Sequence, residues 1–160
     1  MFTDKHITMI RAHIELVDEL HQTTTSRNQL AMIWRALLEE PHMIRRTHQV
    51  HPDTCRVSRA AWEAMSGVRP RIHSKGKKLG LRYEHPVPLT SCLYPLVRDA
   101  LKRGGDVAAR EVLEKFHRPS WITTEEDLRL NNCGLRSKMP SDWDGYNPFA
   151  RYEEVGIELI

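Results

Sequence analysis

Glu84 and His85 stand side by side, with Pro86 and Pro88 immediately after them. A histidine beside a carboxylate can take a proton from water and help hold a divalent ion. Just upstream lies RPRIHSKGKKLGLR, residues 69–82. It carries six cations, Arg69, Arg71, Lys75, Lys77, Lys78 and Arg82, and no acid. Such a run suits a polyphosphate backbone, because each phosphate neutralised releases counterions. Gly76 and Gly80 leave room for close backbone approach. The two features adjoin in sequence, and together they point to chemistry on DNA or RNA. The plainer readings are a structural ion pair at a strand end and a solvated loop.

Other constellations are weaker. His42, His48, His51 and Cys55 have the ligand softness of a zinc site, but their spacing is not that of a zinc finger and no CxxC is present. Trp143, Tyr146, Phe149 and Tyr152 could stack on bases. The interleaved Asp142, Asp144 and Glu153 favour packing of the tail over the core. The turn GLRSKMP, residues 134–140, and the cations Arg129, Arg136 and Lys138 are further candidates for phosphate contact. No P-loop, GxGxxG, GxSxG or HExxH occurs, which leaves nucleotide-binding and serine-hydrolase readings without support.

The elements that must position these residues follow from periodicity. Ile7, Ile10, Ile14, Val17 and Leu20 form one helical stripe, and Leu30, Ile33, Trp34, Leu37 and Leu38 form a second, with Ser26 as its cap and Pro41 as its stop. The pair predicts an antiparallel hairpin over residues 1–40 that buries Ile10, Ile14, Ile33, Trp34 and Leu37. Residues 41–57 read as irregular. Ser58 caps a short helix through Trp62 and Met65. Leu79 to Val87 is a strand candidate after an exposed basic loop. A helix from Leu93 stops at Gly104-Gly105, and Asp106 caps the next one, which Pro119 ends. Ser120 to Thr123 is a second strand candidate. Thr123 to Glu126 fits a capping box that opens a helix through Leu130, and Asn147-Pro148 opens a last short helix closed by Gly156.

This order resembles the plan of the ββα-metal (HNH-type) nucleases over residues 79–132. The resemblance implies that His85, at the end of the first strand, is the general base. It implies that Glu84 is a metal ligand and that Glu126, Asn131 or Asn132 on the following helix completes a site for Mg²⁺ or Zn²⁺. The chain departs from the family plan in two respects. About thirty residues of helix replace the usual short loop between the strands, and the helix offers no histidine.

The bulk composition sets the frame. Of the 160 residues, 40% are hydrophobic and 28% charged, as expected for one globular domain. A formal charge of +3 makes any nucleic-acid argument depend on local clustering. No apolar run approaches the roughly 18 residues of a membrane span. The N-terminus is amphipathic rather than signal-like, and Cys55, Cys92 and Cys133 suit reduced thiols. The expectation is a cytoplasmic protein with no membrane association. Its fold is expected to be helix-dominated α+β, with an N-terminal helical hairpin over residues 1–40. The main body, residues 41–160, is expected to hold a small two-stranded β element with flanking helices and the basic loop 69–82. Function is expected to be action on nucleic acid, in its sharpest form that of a small metal-dependent endonuclease with His85 as general base. The alternative is a phage- or plasmid-like regulator, not an enzyme, that binds nucleic acid or a partner protein through the basic loop. The N-terminal helices are a candidate homodimer surface.

Overall fold

The computed structural model describes residues 2–20, 27–39, 43–44, 49–50, 55–66 and 78–160. Two helices, α1 (Asp4–Leu20) and α2 (Arg27–Glu39), pack together at the start of the chain. The buried face of α1 is Ile7, Ile10, His13, Ile14 and Val17, a run of the i, i+3, i+4, i+7 kind that one helical face requires. Among the described side chains of α2, Trp34 and Leu38 are buried. The Trp34 indole N–H donates to the Leu89 carbonyl at 2.9 Å, so the ring's one polar atom is satisfied inside the core. Ile33 departs from expectation, since 47% of its surface is exposed. It stands about 100° around the helix from Trp34, and only one of two adjacent residues can point inward. The expected Ser26 cap lies outside the described residues.

Strands β1 (Met43–Ile44) and β2 (Gln49–Val50) form a short antiparallel ladder where irregular chain was expected. The main sheet is a second correction. It is mixed and has three strands, not two, in the order β3 (Arg56–Val57), β5 (Ser120–Thr123), β4 (Leu81–Glu84). β4 runs antiparallel to β5 with Leu81 opposite Thr123 and Glu84 opposite Ser120. β3 runs parallel to β5. Two residues are too few to show an alternating pattern, and their pairing spans more than sixty positions of sequence. The chain's end adds to the outer edge of β3, where Leu159 bridges Ser58 and the Ile160 N–H donates to the Val57 carbonyl at 2.9 Å.

Helix α3 (Arg59–Ala64) begins at Ser58, whose hydroxyl accepts from the Ala61 N–H at 3.0 Å. A π-helical turn (Leu89–Leu93) leads into α4 (Tyr94–Phe116). The expected break at Gly104-Gly105 is present as a kink; Gly105 adopts φ 62°, ψ −150°, a region open essentially to glycine. Helix α5 (Thr124–Asn132) opens on the expected capping box, in which Thr123 and Glu126 bond each other's backbone N–H. Helix α6 (Ala150–Glu154) is the last.

Among the described residues, buried side chains gather in three clusters. The largest joins α1, α2, the π-helical turn and α4 through Ile7, Ile10, Trp34, Leu38, Leu93, Val97 and Leu113. A second lies around the sheet and α3, with Val57, Ala61, Leu81 and Trp121. The third sits under α5 and α6, with Ile122, Leu130, Leu135, Tyr152 and Ile157. Among the described residues, no helix is long and apolar enough to cross a membrane.

Candidate functional site

β4 ends at Glu84 because Pro86 and Pro88 have no backbone N–H to extend the ladder. The chain turns there, and two residues of α6 take hold of the strand end. The Arg151 guanidinium is fully buried. Its Nε donates to the Pro86 carbonyl at 2.8 Å and its Nη1 to the carbonyls of Leu135 and Arg136. Its Nη2 donates to the Glu84 Oε1 at 2.5 Å and to the His85 carbonyl at 2.6 Å. The Tyr152 hydroxyl donates to the other carboxylate oxygen of Glu84 at 2.6 Å. Burial raises the Glu84 carboxyl above the ordinary carboxylate range, opposed by the Arg151 charge and the Tyr152 hydrogen bond. The Tyr152 phenol is pushed well above its usual value by its own burial and by the neighbouring carboxylate.

His85 sits just beyond, half-buried. Its ring meets the Tyr83 ring edge-on at 5.4 Å between centroids and lies tilted against His117 at 5.2 Å. Tyr83, Glu84 and His85, from the end of β4, form one wall of a cleft of about 480 Å³. Asp127 and Leu130 of α5 form another side, and Arg35 of α2, Arg136 and Arg151 complete it. Of its charged groups, Arg151 is paired with Glu84. Asp127 faces Arg82 at 3.8 Å. Among the described residues, Arg35 and Arg136 have no ion-pair partner. The cleft thus presents two guanidinium groups without an ion-pair partner among the described residues, beside the aromatic residues Tyr83 and His85.

Glu84 and His85 are at the cleft together, and Asp127 of α5 joins them. Glu126 does not. Its Oε2 accepts from the Ser58 hydroxyl at 2.6 Å and the Thr123 N–H at 2.7 Å, buried at the start of α5. Asn131 is half-buried near the end of α5, and its side-chain oxygen is buried with no hydrogen-bond partner among the described residues. Lys78 is exposed and leads into β4, and Arg82 lies on the strand beside Asp127. Arg69, Arg71, Lys75 and Lys77 lie outside the described residues, as do His42, His48 and His51. Cys55 is buried in the core cluster around the sheet. Among the described residues, no three His, Cys, Asp or Glu side chains gather as a metal-binding group. Both oxygens of Glu84 and the inner oxygen of Glu126 are occupied by hydrogen bonds. Among the described residues, Glu84, Glu126 and Asn131 are thus not gathered as a ligand set for Mg²⁺ or Zn²⁺.

Sequence reasoning passed over Arg35 and His117, gave Arg151 no role, and read Tyr152 as a ring of the tail rather than as a partner of Glu84. Arg151 and Glu84 are 67 positions apart, with no local spacing to connect them. Arg136 had a signal, as one of three cations near the turn after α5. Asp127 had one too, in the acidic first turn of that helix. No protein-family model matches the chain, and comparison with curated proteins and with solved structures gives no match.

Proposed function

We propose that the protein binds single-stranded nucleic acid, with backbone phosphate held in the cleft at the end of β4. One observation carries this reading. Arg35 and Arg136 line a cleft whose wall includes the Tyr83 and His85 rings, and neither has an ion-pair partner among the described residues. Guanidinium groups bind phosphate oxygens in a planar fork. Aromatic faces accept a splayed base whatever its identity. A volume of about 480 Å³ is of the size that one nucleotide would fill. The basic run 69–82 reaches the same place in sequence, since Lys78 and Arg82 lead along β4 toward His85. Glu84 serves here to lock Arg151 and the strand end in place.

The test is fluorescence anisotropy with labelled single-stranded RNA, single-stranded DNA and duplex across a salt series. Single strands are expected to bind in preference to duplex. Affinity is expected to fall with salt by about 0.7 log units per log unit for each phosphate contacted. Arg35→Ala with Arg136→Ala is expected to weaken binding and flatten that slope. Unchanged affinity and slope in the double variant overturn the assignment of the cleft. Equal binding of duplex overturns the single-strand preference.

A second reading, hydrolysis of the bound strand with His85 as general base, has one observation in its favour. β4 pairs antiparallel with β5, which leads into α5, so the two strands and the helix keep a ββα order although α4 intervenes between the strands. His85 is at the strand end and Asp127 on the helix at the same cleft. Cleavage that His85→Ala abolishes while binding persists would select it over simple binding.

A further inference from the structure

We infer that the outer face of the N-terminal hairpin is a self-association surface whose occupant is a second copy of this chain, docked antiparallel about a two-fold axis near Ala12. The charges of α1 divide into two sets. Asp4, Arg11 and Asp18 point at α4 and form ion pairs with Arg110, Asp106, and Arg98 and Lys102. Lys5, Glu15 and Glu19 are exposed and have no ion-pair partner among the described residues. Lys5, Met9, Ala12, Leu16 and Glu19 recur at alternating steps of four and three, which is the a/d seam of a coiled coil. Met9 and Leu16 are 45% and 46% exposed. They flank His13 on the helix, and His13 stacks on Trp34 at 6.1 Å between centroids. Met9 and Leu16 therefore stand toward α2, where Met32 and Ile33 are 71% and 47% exposed.

The stripe is complementary to itself. It begins on a cation and ends on an anion, with a small residue at its centre. Reversing one copy over the other sets each Lys5 against the partner's Glu19, each Met9 beside the partner's Leu16, and Ala12 against Ala12. A parallel arrangement would instead set like charges together. Residues 5 to 19 span about 21 Å of helix, and two helices side by side are roughly 20 Å wide. The footprint is then about 400 Å² per copy, or about 800 Å² in total, below the usual range for stable complexes. The dimer is therefore expected at the weak, transient end of specific association.

Sedimentation equilibrium from about 1 µM to about 300 µM tests this directly. Wild-type protein is expected to pass from monomer to dimer over that range. Leu16→Arg is expected to stay monomeric with an unchanged far-UV spectrum and melting temperature, because Leu16 is outside the core. Lys5→Glu alone and Glu19→Lys alone are each expected to weaken association by about 10-fold, through two repulsive pairs per dimer. Combining them restores the opposite-charge pairs and is expected to restore association. Wild-type protein that stays monomeric throughout overturns the inference. Association unmoved by Leu16→Arg places the interface elsewhere and also overturns it. Failure of the double reversal to recover overturns the antiparallel register.

Discussion

Glu84 takes its character from two neighbours that arrive from the far end of the chain. Arg151 is buried with every nitrogen hydrogen-bonded, and one of those bonds is to the carboxylate. Removing one member of such a pair leaves the other charged and buried, which typically costs about 3–5 kcal/mol. Arg151→Ala is therefore expected to destabilise the fold by that amount in urea denaturation. A loss below about 1 kcal/mol would mean that water or another donor replaces it. His13 gives a second prediction. Burial lowers its pKa below the ordinary 6.5. The unfolded chain therefore takes up a proton before the folded one does, and stability rises with pH between the two values. His13's contribution is fully present above about pH 6.5 and is lost as pH falls from there toward the folded value. Melting temperatures from pH 7 down to about pH 5 are expected to decline less steeply in His13→Phe than in the wild type. Parallel declines would show that the histidine does not titrate on unfolding.

Helix α2 shows how sharply a single helix divides its residues. Trp34 is 1% exposed and Ile33 is 47% exposed, although they are adjacent. Trp34→Ala is expected to cost about 3–5 kcal/mol through the cavity it leaves, with a further loss from the unfilled Leu89 carbonyl. Ile33→Ala, measured at concentrations where the chain is monomeric, is expected to cost less than about 0.5 kcal/mol. Similar costs for the two would place both side chains in the core. Helix α5 is held differently, by its capping box and by the Ser58 hydroxyl on Glu126. This links α5 to the start of α3 across the sheet. Its carboxylates at 125–127 thus serve distinct ends: Glu126 caps the helix, while Asp127 faces the cleft.

The hairpin face and the cleft meet in α2, since Arg35 lines the cleft while Met32 and Ile33 stand exposed. A dimer through the hairpins carries two clefts on one particle. Binding of a strand long enough to reach both then gains from effective concentration, without any new contact. A strand of about 40 nucleotides is expected to bind at least about 10-fold more tightly than one of about 10, and the gain is expected to vanish in Leu16→Arg. Equal length dependence in wild type and variant would separate the two sites. A net charge of +3 gives little long-range attraction, so under the proposed function the local guanidinium groups would carry the affinity.

Local signals were legible in the chain wherever the physics is local. Helical periodicity marked α1 and α2, Ser58 and the Thr123–Glu126 box marked two helix starts, and the paired glycines marked the kink in α4. Each of these depends on residues within about four positions of one another. The helix-dominated α+β class followed from them. The third strand did not, because β3 is two residues long and pairs in parallel with a strand more than sixty residues away. The surroundings of Glu84 were equally hidden. Glu84-His85 is visible as a pair of chemical types, but the sequence holds no record that Arg151 and Tyr152 occupy the carboxylate. Which polar groups neutralise each other inside a protein is decided when distant segments share one desolvated space, and that is a property of the folded molecule alone.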